Sequence, residues 1–450
     1  MTAVATPADG IGFGARFLAP VFLGSMLNPV NSTMIATALA PIGRDYAVPA
    51  GDVAWLLSGL YLASAVAQPV MGRLADAAGP RRVYLGGLVL VGAAGLAGAA
   101  GPPFGWLVVV RVLIGIGTST AYPAAISMIA AQEQRLGRTA PGRVLGSLAF
   151  ASMTAATVGP LLGGLLVSAA GWPAVFAVNV PLAAIGFGTA LRWLPPDPPP
   201  DSERPRSRFD VLGAVLFAAV VTTLAFLLMS LRWWLTPVLA ALLAALACWE
   251  RGREFPFLDL RVLAGNRPLL MTYLRNGLAF LGSYGVIYGL TQWLETARGL
   301  SSAAAGLVLL PMSVLSAAGA AWAARGRRVR GPIQAGAAVL LLAAGLLLWV
   351  RADSSLVLVV AVMAATGMAS GLNPVGNQAA MYAQAPPGQV GVAAGLLRTA
   401  QYLGAILSAS LLAFTLGSPV GDTGLHRLAL AVAGVAVLLA AVVVFDRSPR

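Results

Sequence analysis

The chain has 450 residues, of which 58% are hydrophobic and only 10% are charged, and its mean hydropathy is +0.82. A soluble domain carries about a quarter charged residues, so this composition excludes a soluble globular protein and indicates a polytopic membrane protein. The net charge of +13 comes from arginine alone, because the chain contains no lysine.

The scarcity of reactive side chains excludes several kinds of site. Cys248 is the only cysteine and cannot form an internal disulfide, and His426 is the only histidine, so we expect no metal site and no catalytic residue. A nucleotide-binding loop of the Walker type needs a lysine. The N-terminus lacks the pattern of a removable signal, so we expect the first span to be retained. We therefore expect a protein that is not an enzyme and holds no cofactor.

Apolar stretches of about 20 residues recur along the chain, and each is long enough to cross a bilayer as a helix. They predict an all-α polytopic membrane protein with both termini on one side. We predict about fourteen transmembrane helices, at residues 15–41, 52–72, 83–100, 105–130, 144–169, 174–194, 210–230, 234–250, 268–296, 303–323, 332–350, 355–382, 391–415 and 427–445.

The arginines are distributed unevenly over the two predicted faces. Most of them fall in alternate loops on one face, and the opposite face carries only Arg44, Arg232, Arg298, Arg351 and Arg427. The positive-inside rule makes the arginine-rich face cytoplasmic and places both termini there, which predicts an inner-membrane protein. Because the arginines do not cluster on a soluble segment, we expect no nucleic-acid partner.

Polar residues within the spans predict a central cavity, since an unpaired polar group in hydrocarbon is costly. Ordinary hydrogen bonding between helices is the alternative for each of them. The cavity candidates are Asn28, Asn31, Thr33, Tyr61, Gln68, Tyr284, Tyr288, Gln292, Asn373, Asn377 and Arg398.

The turn after the second predicted helix runs from Gly72 to Arg82 as Gly-Arg-Leu-Ala-Asp-Ala-Ala-Gly-Pro-Arg-Arg. Its glycines allow a tight turn and close helix approach, and Asp76 can pair with arginines or cap a neighbouring helix. The corresponding turn of the second half, residues 325–331, has Arg328 instead of an acid. A simple topological stop is the alternative to a switching role. Six residues of this turn are candidates for a switching role: Gly72, Arg73, Asp76, Gly79, Arg81 and Arg82.

Three arginines fall inside apolar spans, where a charge needs a polar partner or water. We expect Arg111 to face the cavity and to organise coupling, with snorkelling to the interface as the alternative. Arg275 and Arg398 lie nearer a cytoplasmic end, where snorkelling is more favourable. In the fifth span, Gly159, Pro160, Gly163 and Gly164 combine a helix-kinking proline with small residues that permit tight packing.

Matching stretches recur in the two halves at an offset of about 250 positions. Gly86 matches Gly336, and Gly142 matches Gly391. The proline-rich run at 195–204 ends the first six helices, so the offset leaves room for one extra two-helix hairpin at residues 210–250. We predict a six-helix bundle at 1–195, a cytoplasmic linker with an inserted hairpin at 196–262, and a six-helix bundle at 263–450.

These motifs together resemble the fourteen-span drug/proton antiporter branch of the major facilitator superfamily. The resemblance covers most of the chain and rests on Gly72–Arg82, Arg111–Gly117, Gly159–Gly164, Pro256–Leu260 and Gly299–Gly306. It implies two six-helix bundles around a substrate site at mid-membrane, a latch that stabilises the outward-open state, and a fifth-helix motif typical of exporters. It also implies proton influx as the energy source.

One departure from that branch concerns the proton. Where the branch usually has an acid in the first helix, this chain has Asn31-Ser32-Thr33, and asparagine cannot carry a proton. Glu295 is the best remaining titratable group within the spans, with a solvated interfacial carboxylate as the alternative. We therefore take Arg111 and Glu295 as coupling candidates. The scarcity of acids and the buried arginines favour neutral, zwitterionic or anionic amphiphiles over dications.

The sequence thus predicts a monomeric exporter of hydrophobic small molecules, surrounded by lipid, that confers resistance to a toxic compound. The first alternative keeps the fold but is an importer or uniporter without proton antiport. A membrane enzyme or signalling protein is a second alternative, but no catalytic cluster or sizeable soluble domain supports it. The hairpin at 210–250 is either a lipid-facing spacer or a lateral gate.

Overall fold

The computed structural model describes residues 12–446 except 49, 54, 138–141, 198–209, 231, 254–255, 301, 326–328 and 417–419. Throughout these residues the regular structure is helical, which confirms the predicted all-α class. The long helices are α1 (Ala15–Met34), α2 (Trp55–Ala78), α3 (Pro80–Ala99), α4 (Phe104–Leu136), α5 (Gly142–Ala170), α6 (Pro173–Trp193), α7 (Val211–Ser230), α8 (Leu235–Arg251), α9 (Arg267–Thr296), α10 (Ser302–Arg325), α11 (Arg330–Leu347), α12 (Leu356–Gln384), α13 (Val390–Thr415) and α14 (Asp422–Phe445).

Many of these helices are candidate membrane spans by their length and apolar composition. In the described part of the chain, nine are long and apolar enough to cross a membrane, and α5 is a tenth candidate. The two parts of α5, Gly146–Ala156 and Leu161–Ala170, meet at 41°. The total of fourteen spans remains a prediction, but the chain is a multi-pass membrane protein.

The predicted turn after the second helix is shorter than expected. Gly72 to Ala78 belong to α2, because the alanines and leucine of this segment favour a helix. The reversal is made at Gly79, whose φ of 101° suits glycine, and Pro80 then begins α3 at a position where its missing N–H costs nothing.

The first six helices pack mainly on one another, and so do the last six. In the first set α1 contacts α5, and α2 and α3 both contact α4; in the last set α10 and α11 contact α12, and α9 contacts α13. The two sets meet through two main helix pairs, α2 with α13 and α5 with α10. We call these the α2–α13 seam and the α5–α10 seam.

The pair α7 and α8 lies outside both sets. These two helices pack on each other, and α7 also contacts α2 and α13, so that it covers the α2–α13 seam. Phe217 of α7 packs in one apolar cluster with Phe257 and Tyr402. The division of the chain at 195 and 262 remains a prediction, as does the choice between spacer and lateral gate.

Candidate functional site

The end of the bundle that contains the α2–α3 turn is called the arginine-rich end below. There, the Asp76 carboxylate of α2 caps the N-terminus of α13. Its Oδ1 accepts hydrogen bonds from Gly391 N at 3.0 Å and Ser127 Oγ at 2.8 Å, and its Oδ2 accepts one from Val392 N at 3.0 Å. The free N–H groups and dipole at a helix N-terminus favour a negative charge. Asp76 therefore joins the two halves through a helix cap.

Close backbone contact surrounds this cap. A Cβ on Gly72 would overlap the carbonyl of Gly391, and a Cβ on Gly391 would lie 2.6 Å from Asp76 Oδ1. On the second seam, a Cβ on Gly146 would overlap the methyl group of Ala324. The hydroxyl of Tyr382 in α12 also donates to Glu133 Oε2 of α4 at 2.7 Å. The two halves are therefore in tight contact at the arginine-rich end.

The other latch candidates lie within the first half or near the hairpin. Arg73 Nη2 donates to the carbonyl of Pro256 at 3.1 Å, in the segment that follows α8. The backbone N–H groups of Arg81 and Arg82 donate to the two carboxylate oxygens of Asp197, at 2.9 and 3.0 Å, and a Cβ on Gly79 would meet the same carboxylate. Asp197 thus caps α3. Arg328, in the second-half turn, lies outside the described residues.

Above the closed end, the halves enclose a cavity with two lobes. The outer lobe has a volume of about 510 Å³ and lies between α5, α9, α10 and α12. Its walls are mainly apolar and aromatic. Leu161, Tyr288 and Leu310 line it in the outer halves of their helices with exposed fractions of 65%, 38% and 53%, so protein does not enclose the lobe at these residues.

The inner lobe is smaller, about 100 Å³, and lies nearer the arginine-rich end. Tyr61 and Tyr284 line both lobes. Beneath them, Asn28 Nδ2 donates to Ser64 Oγ and Thr118 Oγ1, both at 2.9 Å, which joins α1 to α2 and α4.

Tyr402 of α13 connects this polar network across the two halves. Its hydroxyl donates to Asn28 Oδ1 at 2.7 Å and accepts from Gln68 Nε2 at 3.3 Å. Thr399, on the same helix, donates to the carbonyl of Ala65 at 2.6 Å. The α2–α13 seam is therefore hydrogen-bonded from the arginine-rich end to the floor of the cavity.

The structure brings most of the cavity candidates together. Those that line one or both lobes are Asn28, Thr33, Tyr61, Gln68, Tyr284, Tyr288, Asn373 and Arg398. Three candidates do not line either lobe. Asn31 Nδ2 donates to Asn179 Oδ1 of α6 at 2.7 Å, Asn377 accepts from Arg275 at 3.3 Å, and Gln292 is exposed near the end of α9.

The two buried arginines have different hydrogen-bond partners. Arg111 is 1% exposed and does not line either lobe; its Nε donates to Leu56 O at 2.8 Å and its Nη2 to Asn31 O at 3.1 Å. Arg275 is fully buried and forms a salt bridge with Asp446 at the end of α14. Both guanidinium groups are thus hydrogen-bonded within the protein, Arg275 to a carboxylate and Arg111 to neutral carbonyl groups.

Arg398 has a different environment. It is partly buried on the wall of the inner lobe, where its Nη1 donates to Gln401 Oε1 at 2.9 Å. Its guanidinium carbon lies 4.0 Å from the centre of the Tyr122 ring. Glu295 is partly exposed near the outer end of α9 and does not line either lobe, so the structure does not bring it together with Arg111 or Arg398.

The glycines of the fifth-helix motif pack α5 against the outer end of α1. A Cβ on Gly159 would overlap the side chain of Thr33, and one on Gly163 would lie 2.5 Å from Met34 O. Gly164 has open space instead. Pro160 lies between the two parts of α5 that meet at 41°, as expected where a backbone N–H is missing.

Several residues of this site were not predicted from the sequence, among them Tyr402, Asn179 and Asp197. Tyr402 could have been found, because it lies four positions after Arg398 and so shares its helix face. Asn179 is the polar partner of Asn31 from another helix, and Asp197 sits in a proline-rich run. The residues around Asn179 and Asp197 form no local sequence pattern from which their hydrogen-bond partners could be predicted.

Comparison with known proteins agrees with this architecture. The Major Facilitator Superfamily profile matches residues 21–409. The uncharacterized MFS-type transporter YwoD of Bacillus subtilis is 34% identical over 95% of this chain and 96% of its own length. The tetracenomycin C resistance and export protein of Streptomyces glaucescens is 30% identical over 93% of this chain and 79% of its own length.

A solved structure shows the same fold at low sequence identity. The human organic anion transporter MFSD10 superimposes with a TM-score of 0.70 at 19% identity, over 95% of this chain and 99% of its own length. The match of the family profile to most of the chain, together with a relative above 30% identity, establishes the family. The chain belongs to the major facilitator superfamily, as the sequence motifs implied, and is a membrane transporter of small molecules, not an enzyme.

Proposed function

We propose that this protein exports hydrophobic or amphiphilic small molecules by alternating access, and that its output is resistance to a toxic compound. The observation that carries the proposal is the cavity between the two halves, closed at the arginine-rich end and open in its outer half. The similarity to a protein named for tetracenomycin C resistance and export supports the outward direction.

The orientation follows from charge. With the arginine-rich end in the cytoplasm of a bacterial cell, the positive-inside rule is satisfied and both termini are cytoplasmic in the inner membrane. The conformation described here is then the outward-open one. We propose a monomer embedded in lipid, because helices from both halves of one chain line the cavity.

The latch function is proposed for Asp76 and Gly72. In the outward-open state the carboxylate satisfies N–H groups at the start of α13 that would otherwise lack partners. Opening the cytoplasmic end separates α2 from α13 and breaks these bonds. Asp76 therefore stabilises one of the two states of the transporter, which is what a latch requires.

Proton influx is the proposed energy source, with Arg111 and Glu295 as the coupling candidates. Arg111 holds backbone carbonyls of both α1 and α2, so a movement of either helix changes its environment. The alternative is uncoupled transport, and one observation favours it. In the described part of the chain, the residues that line the two lobes include no carboxylate.

Everted membrane vesicles test direction and coupling together. The transported compound is first chosen from a growth-inhibition panel in an efflux-deficient host expressing the protein. We expect vesicles to accumulate this compound when their lumen is acidified, and to lose it when a protonophore is added. Equilibration of the compound without accumulation, unchanged by the pH gradient or the protonophore, would establish the uncoupled alternative, and uptake only into right-side-out vesicles would contradict export.

Matched variants link the assay to the site. We expect Asp76→Asn and Arg111→Ala to reduce accumulation. Asp353→Asn and Arg351→Ala make the same chemical changes at exposed positions of the α11–α12 loop and serve as controls. Equal loss in site and control variants would contradict the assigned roles.

A further inference from the structure

We infer that Arg398 is the headgroup subsite of the cavity and that the transported molecule is an anionic amphiphile, with a carboxylate, sulfonate or phosphate group. This inference rests on the proposed function and narrows it to one charge class. Among the described residues that line the two lobes, Arg398 is the only one with a charged side chain.

The position of Arg398 makes an unneutralised charge costly. It lies eight residues after the start of α13, about 12 Å into the helix at the usual rise per residue. A charged side chain at membrane depth pairs with another group or contacts a water-filled cavity. Among the described residues no carboxylate lies within salt-bridge distance of Arg398, and the cavity is what its side chain faces.

The other two arginines within the spans differ from Arg398 in their partners and in their access to the cavity. Arg275 has the carboxylate of Asp446. Arg111 has two neutral backbone carbonyls, but it is buried and lines neither lobe, so a ligand in the cavity does not reach it. Arg398 instead has the neutral amide of Gln401 and the ring face of Tyr122. These two neighbours orient the guanidinium without cancelling its charge. They also leave further N–H groups of its planar fork for a ligand, and that fork matches an oxyanion with two acceptor atoms.

The adjoining outer lobe supplies the other half of an amphiphile site. Its walls include Phe280, Ile287, Leu309 and Met312, which suit an apolar body. Tyr61 and Tyr284 line both lobes and form the junction between them. A ligand with its acidic group on Arg398 in the inner lobe extends its apolar part past these rings into the larger space.

A charge series with one hydrophobic body tests the inference on the purified full-length protein. The probes are 1-pyrenebutyrate, 1-pyrenebutanol and a pyrenebutyl-trimethylammonium ion, and binding is measured by fluorescence anisotropy in nanodiscs of phosphatidylcholine. We expect pyrenebutyrate to bind at least roughly tenfold more tightly than the other two probes. A hydrogen bond between a guanidinium and a carboxylate is stronger than one between neutral groups. Phosphatidylglycerol added to the nanodiscs shows whether a lipid headgroup uses the same subsite, since it then competes with pyrenebutyrate.

Three variants assign the effect to Arg398. We expect Arg398→Gln to weaken pyrenebutyrate binding roughly tenfold and to leave pyrenebutanol binding unchanged, which also shows that the variant is folded. Arg398→Lys keeps the charge but not the planar fork, so we expect a partial loss. Arg351→Gln, at an exposed position, is the matched control.

The outcomes separate this inference from the proposed function. Equal affinity for the three probes, an equal loss for all three in Arg398→Gln, or no saturable binding of pyrenebutyrate would overturn it. Export of a compound that depends on neither its charge nor Arg398 would leave the exporter standing without this subsite. Binding of the anion through Arg398 without export would support the subsite and contradict the exporter.

Discussion

The two seams that join the halves are built differently, although the sequence relates them as repeats. Gly391 and Gly395 of α13 match Gly142 and Gly146 of α5. On the α2–α13 seam, glycine contacts are combined with the Asp76 cap and with hydrogen bonds from Thr399 and Tyr402. On the α5–α10 seam, Gly146 meets Ala324, and farther out the two helices line the cavity.

This difference indicates where the energy of the conformational change is concentrated. Bonds to a carboxylate are stronger than apolar contacts between small residues, so the α2–α13 seam contributes more to the stability of the closed end. Its polar contacts run from the arginine-rich end to the cavity floor. Cavity-lining residues such as Tyr402 are therefore on the same seam as the latch. The α5–α10 seam is then the side on which the halves open with less resistance.

The largest expected effect is from Gly72→Val. Its side chain would overlap the backbone of Gly391, which has no side chain to move away, and overpacking of this kind costs typically about 1–3 kcal/mol or more. We expect the closed end to be lost and export to fall by roughly tenfold or more. The measurement is accumulation in everted vesicles, with protein folding checked by size-exclusion chromatography.

Gly86→Val is the matched control for this substitution. Gly86 lies on an exposed face of α3, and its added Cβ would meet no atom within 4 Å. The same change in helix propensity is made there without the overlap. If both variants lost transport equally, the close approach of α2 to α13 would not be what the assay detects.

The second effect is from Asp76→Asn. The amide keeps one acceptor oxygen but loses the negative charge at the N-terminus of α13 and one of the three bonds, and hydrogen bonds to charged groups contribute about 1.5–3 kcal/mol. We expect the population open to the cytoplasm to rise roughly tenfold. A cysteine at Ser152, which lines the inner lobe, reports this opening through its labelling rate with an impermeant maleimide in everted vesicles.

Two checks belong to that measurement. The exposed Cys248 is first replaced by serine so that only the reporter reacts. Ser127→Ala removes a single bond to the same carboxylate and leaves its charge, so we expect a smaller rise in labelling than for Asp76→Asn. Faster labelling in Ser127→Ala than in Asp76→Asn would contradict the importance of the charge.

Much of the fold followed from local properties of the sequence. The apolar stretches predicted the helices. The polar residues inside them were expected either to hydrogen-bond to other helices or to line a cavity. The sequence could not show which residues form hydrogen bonds to other helices and which line the cavity. Asn28 and Arg398 line the cavity, whereas Asn31 and Asn377 bond to residues of other helices. A polar side chain in hydrocarbon satisfies the same physical need in both ways.

The partners of the loop motif show the same limit more clearly. Its composition predicts a turn and a helix cap, but Asp76 bonds to Gly391 across 315 positions of sequence. Arg81 and Arg82, which looked like partners for Asp76, donate their backbone N–H groups to Asp197 instead. Contacts between residues this far apart in sequence depend on how whole helices pack. The local sequence around each residue does not determine that packing.

The smallest expected effect is on the α5–α10 seam and comes from Gly146→Ala. The new methyl group would overlap that of Ala324, but here the obstacle is a side chain, which a second substitution can remove. We expect Gly146→Ala to raise Ser152-cysteine labelling by less than Asp76→Asn does, because no charged bond is broken. Adding Ala324→Gly should restore the original rate, since it returns the lost space to the same contact. A rise larger than that of Asp76→Asn would mean that the apolar seam, and not the capped one, holds the cytoplasmic end closed.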